Sequence, residues 1–213
     1  MQAKRLHMFT TFHAHTLRVL VLILALFCIA PHAALAEEVY NIDIYGPGQG
    51  KMFMAMADPL GGGGSPPPSH ASELDGLIEK NLGFMPFLGL IPSSEVIGGT
   101  RLDGFTMAEI DFKRFQLTGA DFLLTAGWVS SDTVELRCFE SFTQHLLLGK
   151  SYTISDPSQL PEVADKFCAA LMERLTGNGS FFLSKMAYVQ KTGPDKAIFA
   201  IRPTGRDRRQ VTS

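Results

Sequence analysis

The sequence predicts an α/β protein, and two stretches carry that prediction. Between Phe112 and Phe139 the chain reads as a short helix, a strand buried on both faces and a half-exposed strand. Between Leu160 and Leu175, apolar residues recur at the spacing of one helix face. A helix with an apolar stripe must bury that stripe against another element, so we expect a sheet with helices packed on it.

The first stretch is interpreted from its turn residues and its periodicity. Asp111 suits an N-cap and Gly119 suits the residue after a helix, which predicts a helix over 112–118. Residues 122–129 form an apolar run that is too short for a typical helix and is typical of a central strand. Residues 133–139 alternate between apolar and polar, so they form an outer strand that completes a hairpin.

Further elements flank this stretch. A helix is predicted to open at Ser72 and to stop at Gly83. Residues 181–190 read as an extended segment, and a late strand at 197–201 has no obvious partner within the chain. Additional strands are predicted at 51–57, 84–91 and 146–154.

Residues 1–36 are predicted to be a cleavable signal peptide. Basic residues near the start are followed by an apolar run over 19–30, which is shorter than a bilayer span. Ala34-Leu35-Ala36 then supplies an A-x-A cleavage site, so the mature chain begins after Ala36 and has no membrane span. An uncleaved membrane anchor is the alternative, and the short apolar run argues against it.

The mature chain is acidic. All 21 Asp and Glu residues follow Ala36, whereas three of the 19 Lys and Arg residues precede it. An acidic surface repels phosphate backbones, which argues against nucleic acid as a partner.

Residues 61–70 are low in complexity, with four glycines followed by a serine and three prolines. Such a composition contributes little to a packed core. We therefore expect an exposed, flexible loop inserted between structured parts of one domain.

The mature sequence shows no constellation of catalytic or metal-binding residues. His70 and His145 are the histidines that remain after cleavage, and no G-x-S-x-G elbow is present. Residues 46–51 contain Gly and Lys but lack the spacing and the hydroxyl of a Walker loop. We therefore expect a binding module with no catalytic residues, no metal and no cofactor.

Two cysteines remain after cleavage, Cys138 and Cys168. Cys138 lies on the apolar side of its predicted strand, and Cys168 lies on the apolar side of a helix that should pack on the sheet. An exported protein can form a disulfide. Two alternatives stay open, a disulfide between these residues or two separate buried thiols.

The central block also resembles a known family. Phe115-Gln116, Gly119-Ala120-Asp121 and Gly127-Trp128-Val129 are similar in order and spacing to a pattern in the N-terminal domain of TolB, a periplasmic protein of the Tol–Pal system. The resemblance extends along nearly all of the mature chain, to segments at 134–140, 148–152, 164–167, 175–177 and 187–189. Residues 198–212 are similar to the first piece of a propeller blade in the same family.

This resemblance implies a mixed β-sheet with two main helices packed on it, as in the anticodon-binding domains of some tRNA synthetases. It also implies a domain plan, which consists of a signal peptide at 1–36, an N-terminal arm at 37–48, an α/β domain at 49–190 and an incomplete start of a β-propeller at 191–213. The loop at 61–70, within the α/β domain, is longer than expected for the family.

The resemblance further implies an adaptor that is not an enzyme. TolB proteins link inner-membrane TolA to the outer-membrane lipoprotein Pal, for outer-membrane integrity, constriction at cell division and import of proteins such as colicins. Pal binds the propeller, of which 191–213 hold only the first piece. The TolA-binding arm corresponds here to Glu38, Val39, Tyr40, Asn41, Ile42, Asp43 and Ile44.

Other interpretations of the arm and of the chain stay open. The alternation in the arm suits strand addition to a partner's sheet, and it equally suits an edge strand of this domain. The chain could also be the front part of an exported hydrolase or peptidase with a TolB-like propeller, or a stand-alone periplasmic binding scaffold. All of these place the protein in the periplasm of a Gram-negative bacterium.

Overall fold

The computed structural model describes residues 50–212, and these form two β-sheets, the larger of which carries the helices. The strands are β1 (Met52–Met56), β2 (Leu60–Gly61), β3 (Leu88–Leu90), β4 (Phe122–Trp128), β5 (Thr133–Glu140), β6 (Leu146–Thr153), β7 (Met186–Thr192), β8 (Asp195–Ile201) and β9 (Arg209–Gln210). The helices are α1 (Ala71–Leu82), α2 (Phe112–Thr118), α3 (Leu160–Thr176) and α4 (Ser180–Leu183).

The larger sheet is mixed, as predicted. Its strand order is β3-β1-β4-β5-β6, with β2 added beside β4. Strand β1 runs parallel to both β3 and β4, whereas β4, β5 and β6 form an antiparallel meander. The hairpin predicted over 122–139 is therefore confirmed, and it supplies the antiparallel half of the sheet.

Strand β4 is the centre of the domain. All of its residues are buried, because helices cover both faces of the sheet there. Leu124 and Trp128 point into one core, together with apolar residues of α1 and α3. Leu123 points into a second core, in which Phe115 of α2 is fully buried. The uninterrupted apolar run in the sequence reflects this double coverage.

Local sequence fixes the ends of the helices. The Asp111 carboxylate accepts a hydrogen bond from the Lys113 backbone N–H at 3.2 Å and caps α2. Gly119 ends α2 with a φ of 87°, a left-handed conformation that glycine adopts without strain. Gly177 ends α3 in the same way. These three positions match the caps and stops expected from the sequence.

Residues after Leu175 differ from the sequence prediction. The segment 181–190 is not continuously extended, because α4 precedes β7. The late strand also has partners, since β8 pairs with β7 on one side and β9 on the other. Gly193 and Pro194 form the two-residue turn between β7 and β8, and such a pair of turn residues is a hairpin signal in a sequence.

The three-stranded sheet β7–β8–β9 is called the C-terminal sheet below. The predicted domain boundary between residues 190 and 191 falls inside β7.

The glycine- and proline-rich loop at 61–70 contacts the larger sheet at both of its ends. Gly61 of β2 pairs with Trp128 of β4. At the other end of the loop, the His70 ring packs edge-on against the Trp128 ring, with 4.9 Å between ring centroids.

Adding a methyl group at Gly127 is expected to destabilise the fold by about 1–3 kcal/mol, because a Cβ there would lie 2.4 Å from the Phe105 ring. The matched control is Gly76→Ala on the exposed face of α1, where a Cβ meets no atom within 4 Å and should stabilise by about 0.5–1 kcal/mol. Urea unfolding measures both. Equal or greater stability of Gly127→Ala would contradict this account.

Candidate interaction surface

The predicted arm residues 38–44 and the predicted cleavage site after Ala36 lie outside the described residues. The described chain begins at Gly50 and leads directly into β1. Strand β1 is hydrogen-bonded to β3 on one side and to β4 on the other, so it has no long free edge.

Asp121 fastens the start of β1 to the rest of the sheet. Its carboxylate accepts a hydrogen bond from the Phe53 backbone N–H at 2.7 Å, and its own N–H donates to the Phe53 carbonyl at 2.8 Å. Its carbonyl accepts from the Ser141 N–H at 2.8 Å. One residue thus joins β1, the beginning of β4 and the end of β5.

Gln116 supports the same junction from α2. Its side-chain amide donates to the Ser141 carbonyl at 2.6 Å. Ala120 is fully buried between the helix and the strand. Together with the left-handed Gly119, these contacts give a structural role to each of the glutamine, glycine, alanine and aspartate residues of the central block. The pattern is visible in the sequence but the contacts are not, because Phe53 is 68 residues away from Asp121.

Exposed apolar side chains surround this junction. The strand register places the beginnings of β1, β4 and β6 and the end of β5 at the same end of the sheet. Phe142 and Leu117 are more than 60% exposed there, and Phe53 and Leu146 are more than 40% exposed. We call these four side chains the β1-start surface. Exposed large apolar residues at one end of a domain are typical of an interaction site.

The opposite end of β1 carries an acidic crevice. Asp58, Asp75 and Glu79 line a cavity of about 310 Å³ beyond the carboxyl ends of β1 and β3. Burial, together with the negative charges of Asp58 and Glu79, raises the pKa of Asp75 to about 7. Within the described residues, the Asp75 Oδ1 atom is buried without a hydrogen-bond donor.

A larger cavity of about 750 Å³ lies between the glycine- and proline-rich loop and the segment 101–109. Its walls carry Asp58, Asp103 and Glu109 with a single cation, Arg101. Hydrogen bonds from Thr106 lower the pKa of Glu109, so this carboxylate is charged at neutral pH. The cavity has the size of a ligand site, but its carboxylates form no obvious catalytic pair.

Cys138 and Cys168 are both buried, and the structure holds them as free thiols. The disulfide alternative is therefore not formed here. Burial raises the pKa of the Cys138 thiol to about 12 and that of Cys168 above its usual range, so neither is a reactive thiolate at neutral pH. Both side chains pack in the core shared by α1, α3 and the larger sheet.

Residues 50–212 lack two other kinds of feature. No group of three or more His, Cys, Asp or Glu side chains in this part of the chain is arranged to hold a metal ion. No helix formed by these residues is long and apolar enough to cross a membrane.

Comparison with known proteins gives the family. No protein-family model matches the chain. The Tol-Pal system protein TolB of Nitratidesulfovibrio vulgaris is 45% identical over 193 residues, which cover 88% of this chain and 43% of that protein. This chain belongs to the TolB family. The Tol-Pal system protein TolB of Desulfosudis oleivorans is 31% identical over 139 residues, or 64% of this chain and 32% of that protein.

The fold agrees with a solved TolB. The crystal structure of TolB from Acinetobacter baumannii superposes with a TM-score of 0.60 and 16% identity, over 78% of this chain and 39% of that one. The mixed sheet with its helices is thus the fold of the N-terminal domain of TolB, as the sequence implied. The chain spans less than half the length of the curated TolB relatives that it matches.

Proposed function

We propose that this chain acts as a periplasmic adaptor of the Tol–Pal envelope system and binds TolA through its N-terminal arm. The observation that carries the proposal is the 45% identity to the Tol-Pal system protein TolB of Nitratidesulfovibrio vulgaris, which extends over 88% of the chain. The adaptor works by protein–protein contact rather than by catalysis. Its role is to support outer-membrane integrity, constriction at cell division and import of proteins such as colicins.

The arm is the proposed contact with TolA. Tyr40, Ile42 and Ile44 alternate with Val39, Asn41 and Asp43, so an extended arm presents one consistently apolar face. An extended arm can also supply backbone hydrogen bonds for strand addition to a partner sheet. Pal is the proposed second partner of the whole family protein, through its propeller.

The test is a pull-down of residues 37–213 on the isolated C-terminal domain of TolA, with and without residues 37–43. We expect deletion of 37–43 to abolish binding while the thermal unfolding midpoint of the α/β domain stays unchanged. Retained affinity after the deletion would contradict the proposal.

Two point variants sharpen the same test, because they separate the apolar face of the arm from its polar face. Ile42→Asn should weaken TolA binding by about 10-fold or more, since a buried apolar anchor is lost. Asn41→Ser on the opposite face is the matched control and should change the affinity little. Equal effects of the two variants would argue against strand addition with one buried face.

A further inference from the structure

A buried carboxylate joins the C-terminal sheet to the α/β domain. Asp165 of α3 is 1% exposed and accepts hydrogen bonds from the Asn81 side-chain amide of α1, at 2.9 Å, and from the Arg206 guanidinium. The Arg202 Nη1 atom lies 3.5 Å from the other carboxylate oxygen of Asp165. Both arginines belong to the turn between β8 and β9, so three separate parts of the chain meet at this one carboxylate.

Apolar packing contributes little to the attachment of the C-terminal sheet. Among the residues described, Phe182 is the last one along the chain with a buried apolar side chain. Neither core includes a residue of β7, β8 or β9. The backbone pairs of these strands connect them to one another. Thr204, in the same turn as the two arginines, is buried. The position of the sheet therefore depends on the directional polar contacts of that turn.

Asp165 is the buried carboxylate that both arginines reach. Arg202 also pairs with the exposed Asp207, and this hydrogen bond, with the charges of Asp165 and Glu162, raises the pKa of Arg202. Arg206 donates in addition to the Pro161 carbonyl in the first turn of α3, at 3.2 Å. A neutral side chain at position 165 would leave two guanidinium groups close together without a buried counter-charge. Removing one partner of a buried ion pair is far more costly than removing a surface pair.

We propose that Asp165, Arg202 and Arg206 form an ionic latch that holds the C-terminal sheet against α3, with Asp165 as the positioning residue. The latch opens as a unit, because any displacement of the turn separates both arginines from one carboxylate that is left buried. The C-terminal sheet is then a detachable element, whose release does not require the α/β core to unfold.

Hydrogen exchange on the full chain tests the latch. Asp165→Asn should accelerate exchange of the β8 and β9 amides by about 10-fold or more, while the β4 amides keep the wild-type rate, because the core is left intact. Glu173→Gln is the matched control on the same helix, since Glu173 is exposed two turns beyond Asp165 and should change neither rate. Unchanged exchange in β8 and β9, or equal acceleration in all strands, would overturn the proposal.

A second comparison keeps the test independent of any folding defect of Asp165→Asn. Arg206→Gln alone should also accelerate exchange in β8 and β9, since it removes the opposite side of the latch. Arg206→Gln combined with Asp165→Asn should exchange at about the rate of Asp165→Asn alone, because both changes break one interaction. Multiplied effects in the double variant would show that the two residues act separately and would overturn the latch.

Discussion

Replacing Phe167 by alanine is expected to lower the free energy of unfolding by about 3–5 kcal/mol, the largest single-residue effect that we predict for this domain. Phe167 is fully buried on the apolar face of α3, in the core that α1, α3 and the larger sheet share. The loss combines the transfer of the ring out of water with the cavity that the surrounding side chains cannot fill. A domain with ordinary stability would become marginal.

The measurement is urea unfolding followed by the fluorescence of Trp128, which is buried in the same core. Phe167→Leu is the graded comparison and should cost less than Phe167→Ala because most of the volume is retained. Phe142→Ala is the surface control, since the Phe142 side chain is 63% exposed and should change stability little. A cost for Phe167→Ala as small as that for Phe142→Ala would contradict the placement of α3 on the sheet.

The second large effect is a pH dependence that comes from Asp75. Burial, with the charges of Asp58 and Glu79, raises the pKa of Asp75 from 3.8 to about 7 in the folded protein. Between these two pH values the folded state holds a proton that the unfolded state has released. Stability should therefore fall as the pH rises from about 4 to about 7, by on the order of 2–4 kcal/mol, and should level off above that range.

Asp75→Asn tests this sign directly, because asparagine keeps the shape of the protonated carboxyl and cannot ionise. At pH 8 the variant should be more stable than the wild type by the same amount, and near pH 4 the two should be equal. Glu73→Gln, exposed on the same helix, is the control and should not change the slope. A variant with the same pH profile as the wild type would show that Asp75 is not protonated in the folded state.

The sequence by itself predicted the α/β class, the two main helices and the order of most strands. Those predictions rest on signals within a few residues, such as the Asp111 cap and the Gly119 stop of α2. The run 122–129 was also sufficient to identify the central strand, because coverage by helices on both faces requires continuous apolar residues. The resemblance carried by Phe115-Gln116 and Gly119-Ala120-Asp121 pointed correctly to the TolB family and to its fold.

Contacts between distant residues could be found only in the tertiary structure. The carboxylate of Asp121 reaches Phe53, 68 residues away, and Asp165 meets Asn81 and Arg206, 84 and 41 residues away. A short-range pattern gives no information about such pairs, because each side chain reads locally as an ordinary polar residue. For the same reason, the local sequence after residue 201 does not show that the fold brings two of its arginines to one buried carboxylate.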